Sequence, residues 1–204
     1  MAVQSRKFVV VATEPTPNPA AFKFNLNGRA IAQGAKAFND EIEAEGDPFA
    51  ETMFSFGVVT ALLIQERFVS VTLTSYEEWE MLMDPIIQTI EESLVYYDNA
   101  AEDATEKKKT ILDEVDLKDF DTFSDPVKAE VVDAFMDENI RPLLAADGGN
   151  VLVEEVAGDV LRIRYQGACG SCSKAESGTL AAIQSILNKH ISPNLTVLIQ
   201  RNSI

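Results

Sequence analysis

A strongly acidic segment interrupts the chain near its middle and separates two stretches of regular apolar spacing. Residues 98–125 read DNAAEDATEKKKTILDEVDLKDFDTFSD and carry ten acidic and four basic residues. Their few apolar residues form no sustained face, whereas the stretches on either side show clear strand or helix periodicity. The sequence therefore predicts two domains, residues 1–97 and 126–204, joined by an acidic linker over residues 98–125. A solvated surface helix is the alternative for this segment.

The first stretch alternates strand and turn signals before it ends in a helix. KFVVVAT and FKFNLN predict two strands, with a loop between them that three prolines stiffen. FGVVTALLIQERFVSVTL predicts a hairpin that turns near residues 65–67, and AKAFNDEIEAEG is predicted as loop or helix. Ser75 and Glu78 form a capping-box pattern, and the apolar residues after them recur at helical spacing. We therefore expect strands followed by a helix.

The second stretch has the clearer pattern. A helix is predicted from Pro126 to the glycine pair Gly148 and Gly149, with a break near Ile140 to Arg141 because proline follows there. Two strands that turn at residues 158–159, a helix over SKAESGTLAAIQSILNKHI and a strand over NLTVLIQ complete it. The predicted fold class is α+β: two small α+β domains joined by an acidic linker, the second with the order α-β-β-α-β.

The only two cysteines, Cys169 and Cys172, lie in the sequence GACGSCSKAES between the second strand and the helix of the second domain. The unpaired N–H groups at a helix N-terminus favour a thiolate, and the small residues around both cysteines leave the sulfurs uncovered. Soft thiolates bind iron-sulfur clusters, zinc or copper(I), but an all-cysteine site needs four. Two chains related by a two-fold axis would supply four.

The spacing alone leaves metal binding, dithiol exchange and an inert pair open. A net charge of -16 argues against nucleic-acid binding, because neutralising phosphates requires clustered lysine and arginine. No apolar run reaches the roughly 18 residues that a bilayer span needs, and no signal peptide is recognisable. We therefore expect a cytoplasmic protein that binds neither nucleic acid nor membrane and keeps its cysteines reduced.

Combined motifs narrow these alternatives. RPLLAADGGNV, then LRIRYQGACGSCS, then a helix, resembles the C-terminal domain of NifU-type iron-sulfur proteins over about residues 126–200. TPNPAAFKF, FGVVTALLIQERFVSVT and EEW resemble the N-terminal domain of Nfu proteins. Together these motifs identify an Nfu-type iron-sulfur cluster scaffold or carrier. Ser173 departs from the pattern, since many relatives carry proline there, and serine can still cap the helix.

The resemblance implies a 4Fe-4S cluster shared between two protomers and ligated by Cys169 and Cys172 of each. It implies a cluster-dependent homodimer that is not an enzyme and that passes the cluster to apo iron-sulfur proteins. The expected partners are these apo-proteins and the cluster assembly machinery. The first domain has no cysteine, so we expect it to recognise recipient proteins and to take no part in ligating the cluster. A thiol-disulfide oxidoreductase is the alternative, weakened by the lack of a thioredoxin-like βαβ start, and a structural zinc-bridged dimer is another.

Other marked residues receive structural interpretations. Asp147-Gly148-Gly149 is predicted to end a helix and turn into a strand, with glycine supplying positive φ. The only histidine, His190, is predicted to be structural. Arginines 162 and 164 are expected to be solvated or to contact an acidic partner.

Overall fold

The computed structural model describes residues 7–98, 110–169 and 173–200, and for residues 173–177 it describes the backbone alone. Helices and strands are segregated as in an α+β fold, which confirms the predicted fold class. Among the described residues, no helix combines the length and the apolar character that crossing a membrane requires.

The first domain is a five-stranded antiparallel sheet with helices on one face. Its elements are β1 Val10–Pro15, β2 Ala21–Leu26, β3 Ala35–Phe38, α1 Glu41–Ala44, α2 Pro48–Phe54, β4 Val59–Gln65, β5 Phe68–Leu73 and α3 Trp79–Ser93. The strands lie in the order β1-β2-β5-β4-β3. The helices cover one face of the sheet and form a core with its apolar side chains.

The predicted hairpin and helix of this domain are both present. β4 and β5 pair around a turn at Glu66, whose φ of 23° is positive. Glu78 accepts a hydrogen bond from the backbone N–H of Ser75 at 3.1 Å, and α3 begins at the next residue, Trp79. The segment predicted as loop or helix contains β3, an edge strand, as well as α1.

The second domain packs three helices against a three-stranded sheet. Its elements are α4 Asp125–Asn139, α5 Arg141–Ala146, β6 Gly149–Ala157, β7 Val160–Gly167, α6 Ser173–His190 and β8 Thr196–Ile199. The strands lie in the order β6-β7-β8: β6 and β7 form an antiparallel hairpin, and β8 pairs in parallel with β7 after α6. The first helix ends before Ile140 and the second begins after it, where the sequence predicted a break.

Part of the expected linker is folded onto the second domain. Two short 3-10 helices, Ile111–Asp113 and Leu117–Thr122, precede α4. Phe120 is buried in the second core, and Ile111 packs against the same core. Residues 111–122 were expected to form a flexible linker, but they fold against the second domain. A few widely spaced apolar residues are enough to anchor these short 3-10 helices. Residues 99–109 of that linker lie outside the described residues, and the domain limits themselves stay a prediction.

The two sheets face each other. β7 lies against β3, β4 and β5, on the side of the first sheet that its own helices leave uncovered. As a result every residue of β5 is buried. The end of β7, where the cysteine motif begins, is therefore placed next to the first domain.

Candidate metal centre at the cysteine turn

Cys169 lies where the sequence predicted it, on the connection between a strand and a helix. β7 ends at Gly167 and α6 begins at Ser173. We call residues 167–169 the cysteine turn. The second predicted ligand, Cys172, lies outside the described residues. The roles of Cys169 and Cys172 as ligands stay a prediction.

The second glycine of the DGG motif forms the surface on which the sulfur rests. Gly149 pairs with Gly167 at the open end of the β6–β7 hairpin. A Cβ atom at Gly149 would overlap Cys169 Sγ, so this position admits no side chain while the sulfur keeps its place. The sequence predicted only a helix end and a turn for this motif. The structure adds a role as a cradle for the thiol.

A second contact holds the cysteine turn against the DGG turn. The backbone N–H of Ala168 donates to the carbonyl oxygen of Gly148 at 3.2 Å. Both Gly148 and Gly167 have positive φ, 74° and 63°, which glycine adopts without steric cost. Positive φ at Gly148 was predicted and is confirmed. The two turns therefore fix the position of Cys169 through the backbone.

The sulfur of Cys169 is covered, contrary to the sequence-based expectation. The residue is only 9% exposed and belongs to the second hydrophobic core. Burial, and to a lesser degree the negative charge of Asp147, raises the pKa of the Cys169 thiol to about 11. The expectation of an exposed thiolate is thus wrong for Cys169, because burial and the charge of Asp147 favour the protonated thiol. Ligation of a metal must displace the thiol proton.

Side chains of the first domain complete the surroundings of the cysteine turn. Asn18 Nδ2 donates to the carbonyl oxygen of Ala168 at 3.3 Å. The side chain of Leu63 lies beside Gly167, and that of Thr16 lies beside Gly148. None of these three contacts was predicted from the sequence. The one available signal was the position of Asn18 between two prolines, which holds it in a stiff loop.

The remaining marked residues have other partners. Arg164 forms an ion pair with Glu43 of the first domain at 3.0 Å and another with Glu154 at 2.6 Å. His190 packs against Phe135 in a tilted arrangement with 5.9 Å between ring centroids. Within the part of the chain that the structure describes, no three His, Cys, Asp or Glu side chains gather as a metal site.

Two family models match the chain in sequence order. The model described as "Scaffold protein Nfu/NifU N terminal" matches residues 11–96. The model described as "NifU-like domain" matches residues 132–198, which include both cysteines.

Curated relatives match part or most of the chain. The chain is 43% identical over 70 residues to the nitrogen fixation protein NifU of a Nostoc species, covering 34% of this chain and 23% of that protein. It is 22% identical to the NifU-like protein 5, mitochondrial, of Arabidopsis thaliana, over 93% of this chain and 67% of the relative. It is 23% identical to the "NFU1 iron-sulfur cluster scaffold homolog, mitochondrial" of Drosophila yakuba, over 94% of this chain and 65% of the relative. The chain thus spans from about a quarter to about two thirds of these relatives.

Proposed function

Because this chain belongs to the Nfu/NifU family, we propose that it is an iron-sulfur cluster scaffold or carrier that binds a 4Fe-4S cluster between two chains. The relative from Drosophila yakuba is named an iron-sulfur cluster scaffold homolog. The matching family model is described as a scaffold protein. In such a role the cluster is carried and passed on, and it is not a resident cofactor. We infer that no covalent catalysis is involved and that the protein is not an enzyme.

The observation that carries this proposal is the glycine cradle under Cys169. Gly149 offers the sulfur a backbone surface without a side chain, and Gly167 and Gly148 lock the turn that bears it. Cluster ligation by cysteine requires four thiolates, and each chain contains two cysteines. A symmetric pair of chains would therefore complete the ligand set with Cys169 and Cys172 of each.

Delivery of the cluster would proceed by ligand exchange. Cysteine thiolates of a recipient replace those of Cys169 and Cys172 one at a time, and each released sulfur regains a proton. No electron transfer is needed for this exchange. The proposed partners are apo iron-sulfur proteins and the assembly machinery. A cytoplasm-like compartment, with thiols kept reduced, stays a prediction.

A dithiol oxidoreductase is less well supported by the site. Reactive cysteines in such proteins are accessible and have a lowered pKa. Cys169 has the opposite properties, being buried with a raised pKa. A zinc-bridged dimer would use the same thiolates. Only an analysis of the bound metal and sulfide distinguishes it from an iron-sulfur cluster.

Anaerobic reconstitution tests the proposal. With iron and sulfide, the protein is expected to develop broad absorption near about 400 nm, because sulfur-to-iron charge transfer accompanies cysteine ligation of a cluster. Iron and acid-labile sulfide should be found in equal amounts. A parallel sample that receives zinc in place of iron is the control. A third sample receives both metals together with sulfide, and uptake of zinc alone from it, with no sulfide, would contradict the proposal.

A further inference from the structure

The sheet of the first domain has a second face, and that face covers the cysteine turn. Leu63 is fully buried, yet it belongs to neither of the two hydrophobic cores. It lies on the face opposite the helices, where its side chain meets Gly167. On the neighbouring strand, Ser70 lies beside Gly148, the other glycine of the interlocked turns. We call the face that carries Leu63, Ser70 and Thr72 the cap face.

Polar contacts surround this apolar contact. Asn18 donates to the carbonyl oxygen of Ala168, the residue before Cys169. Lys23 Nζ donates to the carbonyl oxygen of Ala146 at 3.4 Å, at the end of α5. Farther out, Glu43 of the first domain pairs with Arg164 of the second. The contacts thus flank the cysteine on the side of the first domain.

The cap face carries polar side chains of the kind found on solvent-exposed sheet faces. The hydroxyl groups of Ser70 and Thr72 are buried there without a hydrogen-bond partner among the described residues. A buried hydroxyl without a partner costs free energy that it recovers on exposure. These two residues alternate with Val69 and Val71, which point into the first core. The strand thus has the pattern of a sheet with one face in solvent.

The fit between the two domains is also incomplete. A cleft of about 780 Å³ remains between them and is lined by residues of both, including Gln65 and Asn150. Permanent interfaces are packed as densely as protein interiors. An interface with a cleft, buried unpaired hydroxyls and peripheral ion pairs has the features of one that opens.

We propose that the first domain is a reversible cap, which covers the cysteine turn in the cluster-free chain and leaves it when a second chain approaches. Leu63 and Asn18 contact the residues directly before Cys169, so the turn of another chain cannot occupy that space while the cap is docked. The opening of the cap in response to cluster sharing rests on the proposed function. The docking itself does not.

Opening has a consequence for recognition. The cap face becomes exposed only when the first domain leaves the cysteine turn. Cluster loading would then uncover an apolar and hydroxyl-bearing surface around Leu63 that the cluster-free chain hides. A recipient that contacts this surface would distinguish loaded from empty carrier.

The test places a charge in the cap interface and measures access to Cys169. In a cluster-free Cys172→Ser background, Leu63→Arg is expected to raise the rate of Cys169 alkylation by a bulky maleimide about tenfold or more, because arginine cannot stay buried against the turn without a partner. Small-angle scattering should show a larger radius of gyration. Met81→Arg adds the same charge to an exposed site of the same domain and should change neither quantity.

Further outcomes separate the cap from the proposed function. If Leu63→Arg does not fold by circular dichroism, Leu63→Ser replaces it, since serine matches the polar neighbours on that face. A folded Leu63 variant with unchanged alkylation rate and unchanged scattering would overturn the cap. Faster alkylation in the variant supports the cap even if wild-type protein takes up no iron, in which case only the shared-cluster function fails.

Discussion

Alanine at either Cys169 or Cys172 is expected to abolish stable cluster binding. Each substitution removes one thiolate per chain, and hence two of the four around a cluster shared by two chains. We expect iron per chain in the purified, reconstituted variants to fall by at least tenfold. Iron and sulfide analysis after gel filtration measures this. Ser185→Ala, at an exposed position of α6, is the matched control and should keep wild-type occupancy.

The folding of the variants must be checked alongside. Cys169 contributes to the second core, so Cys169→Ser, which keeps a similar volume, serves as a second variant. Far-ultraviolet circular dichroism should be unchanged in all of them. Full cluster occupancy in a folded variant of either cysteine would show that the ligands lie elsewhere.

Alanine at Gly149 is expected to be severely destabilising. Its Cβ would overlap the sulfur of Cys169 and crowd the Cys169 Cβ and backbone nitrogen, so the buried cysteine must change its rotamer and the cysteine turn must shift. Overpacking of this kind costs about 1–3 kcal/mol in the free energy of unfolding, and we expect the upper part of that range here. Denaturant titration of the cluster-free protein measures the loss. Cluster occupancy should fall as well, since Cys169 must leave its position.

Gly178→Ala provides the control for this prediction. Gly178 lies in α6, and a Cβ atom there would meet nothing within 4 Å. Alanine should therefore stabilise the helix by up to about 1 kcal/mol. Equal stability of Gly149→Ala and wild type would mean that the glycine does not serve as a cradle for the sulfur.

Local sequence signals predicted those elements whose cause is local. Proline at position 142 removes a backbone donor and separates α4 from α5 at Ile140. The alternation in β4 and β5 and the tight turn at Glu66 gave the hairpin. The edge strand β3 was not predicted as a strand, because its four residues carry a weak local signal and pairing with β4 is what stabilises it.

Long-range contacts set the limits of that prediction. Simple alternation would place Leu152 on the same face as the buried Val156, but the register of β6 shifts between Val153 and Glu155, so Val151 occupies the core instead. A bulge depends on the paired strand and leaves no clear mark in a sequence. Similarly, the position of Cys169 between β7 and α6 was predicted from local sequence, whereas its burial depends on residues of the second core that are distant in sequence and on the absence of a side chain at Gly149.

The contact between the first domain and the cysteine turn could not be predicted from the sequence. Leu63 and Asn18 reach the turn only because two separately folded sheets face each other. Nothing in their local sequence distinguishes Leu63 from a residue of the first core. The contact is therefore visible in the structure alone.

Native mass spectrometry of the reconstituted protein distinguishes a shared cluster from one held by a single chain. We expect a species of two chains with four iron and four sulfide, and a single chain when the cluster is removed. Cluster loss and chain dissociation should occur together on mild acidification or oxidation, because the cluster holds both turns. A single chain that retains a complete cluster, or a pair of chains bridged by zinc without sulfide, would contradict it.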